Sequence, residues 1–347
     1  MESFVKPRKL EPGDNVATVS LSWGGPAVFP HIYETGIKFL KENGLKVKEY
    51  PSARSNPKIL YENPKMRAED LNQAYRDPEI KAIFSSIGGD DSIRILPYLD
   101  EKVIKANPKI IMGYSDSTTY LTYINQLGHV TFNGPAVMAG MSQMHNYPEA
   151  ANHFRQLLFK VNSSYDYKPY GVYSQGYPSW SNLENTGMIN ENIRDETGWN
   201  WLQGYDSAEG ILFGGCLDVL EIIKGTDFWP KKSFWDGKIL FLETSEESMP
   251  PSHVKWALRS FGMMGVFDKV SGVLVGRSRG YTVEQKKELN KAIIDVIVTE
   301  FDKPDLPVVT NVDFGHTDPQ FIMPLGIRME ISPSRKTLKL IESPVVA

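Results

Sequence analysis

The stretch Lys109-Ile-Ile-Met-Gly-Tyr-Ser115-Asp-Ser-Thr-Thr-Tyr120 begins as an apolar strand and turns sharply at Gly113-Tyr114-Ser115-Asp116-Ser117. It resumes as a helix from Thr118 to about Gln126, with Leu121, Ile124 and Leu127 on one face. A strand, a tight turn with a central serine and a helix form the context of a nucleophile elbow, which lifts the hydroxyl clear of the sheet edge. The helix N-terminus behind the serine favours negative charge, and the next backbone N–H groups point the same way. The pattern here is G-x-S-x-S rather than G-x-S-x-G, so this stretch alone also fits an ordinary capping serine at a βα turn.

Working outward, short apolar strands alternate with helical patterns. Asn15–Leu21, Lys46–Tyr50 and Ala82–Ser86 read as strands, and Pro30–Glu42 and Pro64–Tyr75 read as helices. Such alternation implies a parallel α/β sheet, whose ligands bind at the carboxyl ends of the strands. Ile87-Gly88-Gly89-Asp90-Asp91 lies at one such end and the Ser115 turn at another. Gly88-Gly89 reads first as a tight turn. Its functional alternative is a backbone able to approach a substrate closely and offer an N–H to an oxyanion. It is not G-x-G-x-x-G, and the acidic pair after it would repel phosphate, so no dinucleotide site is expected.

Residues 162–206 are rich in Tyr, Ser, Asn, Gly and Trp without clear periodicity, and include Tyr177-Pro-Ser-Trp180 and Gly198-Trp199-Asn200-Trp201. Long connections of this kind are functional or disordered, and the tryptophans argue against disorder. On composition, Trp180 reads as a packed anchor for the loop, with a stacking surface as the alternative. Further strands follow at Gly210–Phe213, Lys238–Leu242, Ser271–Gly276 and Pro307–Thr310, and Ile327–Ile331 pairs with Thr337–Ile341 as a hairpin. Thr282 and Gln285 form a capping box for a helix running to about Phe301. The expected domains are an α/β domain over 1–160, a linker with a substrate-binding loop over 161–206, and a second domain over 207–347.

A chain of 347 residues with net charge −4 and no basic run gives no reason to expect nucleic-acid binding. Its single cysteine, Cys216, excludes an intrachain disulfide framework and a cysteine zinc site. No apolar run reaches the roughly 18 residues of a membrane span, and the first residues lack the apolar core of a signal peptide, so a cytoplasmic location is expected. No cofactor and no metal are expected.

A serine nucleophile needs a base and a carboxylate to orient it. Of the six histidines, only His316 lies in a glycine-containing loop just after an apolar strand, and Glu243 is placed similarly after Lys238–Leu242. Each is also compatible with a structural role.

Five blocks in order resemble the LD-carboxypeptidase family of serine peptidases: Ile87–Asp100, Gly113–Thr118, Asn133–Pro135, Leu242–Glu246 and Asp313–His316. The resemblance spans about residues 10 to 340. It implies a doubly wound N-terminal α/β domain, a β-rich α/β C-terminal domain and a homodimer. It also implies a triad of Ser115, Glu243 and His316, with the backbone N–H groups of Gly89 and Asp116 as the oxyanion hole. One branch of the family trims D-alanine from murein tetrapeptides. The other resembles microcin C self-immunity peptidases, which cleave an aminoacyl group from a nucleotide and carry a Trp-bearing insert between the domains. The length of this chain and Tyr177-Pro-Ser-Trp180 resemble the second branch. That turns Trp180 into a substrate-stacking candidate. One departure is Cys216, which stands after Gly214-Gly215 where the family pattern has Asn. The expected function is hydrolysis of an aminoacyl-nucleotide amide, with murein tetrapeptide cleavage as the alternative and a non-catalytic small-molecule-binding module as a third reading.

Overall fold

The computed structural model describes residues 4–347. The first sheet contains β1 (Asn15–Val19), β2 (Lys46–Glu49), β3 (Ile80–Ser85), β4 (Ile110–Gly113) and β5 (Thr131–Asn133). These five strands are parallel and lie in the order β2-β1-β3-β4-β5. The apolar runs of β1, β3 and β4 are buried, as expected of a sheet covered on both faces by helices. The strand order reverses between β1 and β3, so the loops leaving those strands open a crevice at the sheet's carboxyl edge.

The remaining strands are β6 (Tyr165–Tyr167), β7 (Val172–Gln175), β8 (Ile193–Arg194), β9 (Asn200–Gln203), β10 (Ala208–Cys216), β11 (Lys238–Glu243), β12 (Gly272–Gly276), β13 (Val308–Val312), β14 (Thr317–Asp318), β15 (Met323–Leu325), β16 (Arg328–Ser332) and β17 (Thr337–Leu340). The second sheet runs β6-β17-β16-β10-β11-β12-β13-β9. Its centre, β10 to β13, is parallel, and antiparallel strands complete both edges. A doubly wound first sheet beside a larger mixed sheet is the α/β plus β-rich α/β architecture expected from the sequence.

The sheets do not divide where the chain changes composition. β6 and β9, from the segment read as a linker, are strands of the second sheet, while β15 returns to pair antiparallel with β5 of the first. Residues 172–194 contribute β7 and β8, which with β14 form a small three-stranded sheet. Residues Ser92–Tyr98 form a 3-10 helix that contains Pro97. The capping box at Thr282 is present, and its helix, Val283–Ile294, continues as a π-helical turn to Glu300. No helix among the described residues is long and apolar enough to cross a membrane.

One contact joins the sheets directly beneath the elbow. The Cys216 N–H donates to Thr118 Oγ1 at 3.0 Å. Gly214 and Gly215, at φ 154° and 151°, belong to β10 itself rather than to a turn after it. A Cβ on Gly214 would stand 1.7 Å from the Phe241 carbonyl oxygen, and one on Gly215 would stand 2.6 Å from the Thr118 side chain. Only glycine lets β10 pass that close to β11 and to the elbow helix.

Candidate active site

Three strand ends carry the candidate residues. Ser115 follows β4 with φ 60°, a left-handed conformation that a non-glycine residue adopts at a cost of roughly 1–3 kcal/mol. The turn is held by the Ser117 N–H donating to the Tyr114 carbonyl at 3.1 Å. Gly113 lets it close, since a Cβ there would stand 2.6 Å from Ser117 Oγ. Tyr120, on the helix behind the elbow, is fully buried and packs into the core beside Leu121 and Ile124.

The Gly88-Gly89 loop leans over the serine. A Cβ on Gly88 would lie 3.0 Å from Ser115 Cβ, 3.1 Å from its Oγ and 3.5 Å from the Asp116 backbone nitrogen. Gly89 adopts φ 148°, and a Cβ there would strike Ser22 Oγ at 2.1 Å. Ser22 Oγ also accepts from the Asp90 N–H at 3.1 Å, so the loop after β1 pins the loop after β3. The Asp116 side chain is buried and turned to structure: its carboxylate accepts from the Ser92 N–H at 2.8 Å, and burial raises its pKa. Any part it plays in an oxyanion hole falls to its backbone N–H.

Glu243 ends β11 and His316 precedes β14. His316 Nδ1 lies 2.6 Å from Glu243 Oε2. Both side chains are almost wholly buried. Gly315 (φ 102°) and Gly276 make room for the carboxylate, because a Cβ on either would stand 2.8 Å and 3.0 Å from Glu243 Cβ. Burial raises the Glu243 pKa, against the pull of the adjacent His316. Burial opposes charge on His316, but Glu243 and Glu246 outweigh it and hold the imidazole above its usual value, at about 10. His153, the other deeply buried histidine with ring contacts, is committed elsewhere. Its Nδ1 faces the Tyr165 hydroxyl at 2.8 Å, its Nε2 accepts from the Ile322 N–H at 2.9 Å, and burial pushes its pKa down to about 3.

Ser115 and His316 line one cavity of about 410 Å³ with Gly88, Gly89, Trp23, Tyr114, Tyr177 and Trp180. Trp180 is half-buried, edge-on to Phe29 at 5.7 Å and tilted against Tyr177 at 5.3 Å between ring centroids. It therefore packs against the first domain and also faces the cavity. Cys216 does not line this cavity. It is fully buried, pairs in register with Glu243 and has its thiol pKa pushed well up by burial.

Four features escaped the sequence reading. Glu246 Oε2 lies 2.9 Å from His316 Nε2, and Arg279, Asp90 and Glu247 complete the charged rim of the cavity. Behind His316, buried Arg277 lies 2.7 Å from Asp195 and 2.8 Å from Asp313, with its guanidinium over the Tyr173 ring. Trp199 Nε1 donates to Asp313 at 2.7 Å, so the insert is tied to the His316 loop. The acidic run Glu243–Glu247 and the Arg277-Ser-Arg279 pair were visible in the sequence, but nothing local said which of these charges faced which.

Compared with known proteins, residues 16–134 match the LD-carboxypeptidase N-terminal domain and residues 209–331 its C-terminal domain. The microcin C7 self-immunity protein of Escherichia coli is 29% identical over 341 residues, 96% of this chain and 94% of that protein. A Bacillus subtilis protein named "Probable murein peptide carboxypeptidase" is 28% identical, covering 96% of this chain and 93% of its own length. The solved structure of the microcin C7 self-immunity protein in complex with aspartyl sulfamoyl adenosine superposes with a TM-score of 0.83 at 27% identity, covering 99% of this chain and 100% of that one. A related protein from Streptococcus pneumoniae, in complex with AMP, gives 0.81 at 28% identity, covering 94% and 98%. Both domains, in order and along the length of its relatives, place the chain in the LD-carboxypeptidase family as a serine-type carboxypeptidase or amide hydrolase.

Proposed function

We propose that the protein hydrolyses the amide linking an aminoacyl group to a nucleotide-like leaving group, in the manner of microcin self-immunity. Ser115 Oγ attacks the acyl carbonyl while His316 takes its proton and passes it to the leaving nitrogen. Glu243 orients the imidazole and supports the charge that His316 gains. The N–H groups of Gly89 and Asp116 receive the oxyanion, which the helix N-terminus behind the elbow also favours. Water, activated by His316, then releases the acyl group from Ser115.

The observation that carries the substrate is Trp180. Its indole faces the cavity that holds Ser115 and His316 and is braced by Phe29 and Tyr177, as a flat nucleobase platform requires. Two relatives of this fold hold aspartyl sulfamoyl adenosine and AMP.

The test sets an aminoacyl-sulfamoyl adenosine beside a murein tetrapeptide, with the native protein and Trp180→Ala. The native protein is expected to cleave the nucleotide compound, and Trp180→Ala to raise KM for it by about 10-fold, corresponding to the 1–3 kcal/mol of one base stack. Cleavage of the tetrapeptide alone, or a Trp180→Ala variant with unchanged KM, would transfer the protein to the murein branch.

A further inference from the structure

Glu246 stands where a general base should be open. A base must present an unprotonated Nε2 to the serine, yet the Glu246 carboxylate lies 2.9 Å from that atom while Nδ1 is held by Glu243 at 2.6 Å. With a carboxylate at each ring nitrogen, both nitrogens carry protons, and an imidazolium cannot accept from Ser115. The Glu246 contact lies off the N–H line, so Nε2 has no aligned hydrogen-bond partner and the pairing is ionic. The Glu246 side chain is 49% exposed, against 0% for Glu243, so it can swing away without opening the core.

The cavity rim adds a second constraint. Its charged groups besides His316 are Asp90, Glu246 and Glu247 against Arg279 alone, an excess of negative charge. The imidazolium beside Glu246 holds its carboxyl down at about 2, with Arg279 adding to the effect, so it is ionised across the physiological range.

We propose that Glu246 is the receptor for a protonated amine on the substrate, and that it exchanges Nε2 of His316 for that amine as the substrate enters. An ammonium beside the acyl carbon draws the carboxylate off the ring. His316, left with Glu243 alone, loses its Nε2 proton to solvent and becomes the base for Ser115. A substrate whose amine is blocked offers no such exchange. The inference rests on the aminoacyl-nucleotide reading for the chemical class of the ligand.

In a Ser115→Ala background, which removes turnover, calorimetry compares alanyl-sulfamoyl adenosine with its N-acetyl derivative. The free amine is expected to bind roughly 10-fold tighter or more. Adding Glu246→Gln should abolish that preference, and adding Glu246→Asp should retain part of it. Equal binding of the two compounds, or a preference that survives Glu246→Gln, overturns the receptor. Binding of neither compound instead overturns the aminoacyl-nucleotide reading, and the receptor with it. A separate readout needs no substrate: the rate at which a fluorophosphonate labels Ser115, followed against pH. In Glu246→Gln the acid limb should move to lower pH, because His316 has lost one of the two carboxylates that hold its proton. An unmoved limb overturns the resting contact with His316.

Discussion

Ser115, at φ 60° between buried β4 and the Thr118–Gln126 helix, holds the strained backbone expected of a nucleophile elbow. Replacing it by alanine should leave the melting temperature close to that of the native protein and lower kcat by several orders of magnitude; undiminished turnover would remove Ser115 from the chemistry. Glu243→Gln is a sharper probe. Its Oε1 has no hydrogen-bond partner and its Oε2 faces Nδ1 of His316, so the amide can present either its oxygen or its NH2 to the ring. Loss of the charge that supports the imidazolium should lower kcat about 10²–10⁴-fold with little change in KM, measured by steady-state kinetics. The sequence marked both residues because each ends a buried strand. It did not mark the contact of Glu246 with His316, which depends on how the turn after β11 folds.

At the scale of elements, the elbow helix and β10 come together through glycine. Gly215→Ala would push a methyl against Thr118, where a Cβ meets the side chain at 2.6 Å, and would impose φ 151° on a residue that resists it. Backbone strain and overpacking together should cost roughly 2–4 kcal/mol, read as a lower denaturant midpoint at unchanged slope. Because that strand also carries the register partner of Glu243, the activity should fall with it. Paired glycines usually mark turns, but Gly214-Gly215 extend a strand past the Phe213 end expected from the sequence. Similarly, β6 and β9 were missed within a Tyr-, Trp- and Asn-rich stretch. They are short edge strands whose partners lie far along the chain, so little alternation is needed to keep them in place.

Across the whole molecule, the insert is held by a buried charge knot. Asp195 comes from the insert, Arg277 from the end of β12 and Asp313 from the His316 loop, and all three side chains are at most 5% exposed. Arg277→Met would leave two buried carboxylates without their cation, at a cost of about 3–5 kcal/mol in chemical denaturation. The same variant should raise KM for the proposed nucleotide substrate, since the insert that carries Trp180 loses its tie to the His316 loop. Unchanged stability would show that the insert's other ties, the Trp199 bond to Asp313 and the β9–β13 pairing among them, hold it without Arg277.

The sequence by itself determined the alternation of strands and helices, the elbow, and the strand ends at Glu243 and His316, because buried parallel strands and tight turns leave local signatures of period and residue type. Tertiary structure alone decided that β15 crosses back to the first sheet, that Arg277 meets Asp195 and Asp313, and that Glu246 rests against His316. Such pairings join residues brought together by chain topology, and a charge has no sequence periodicity that names its partner.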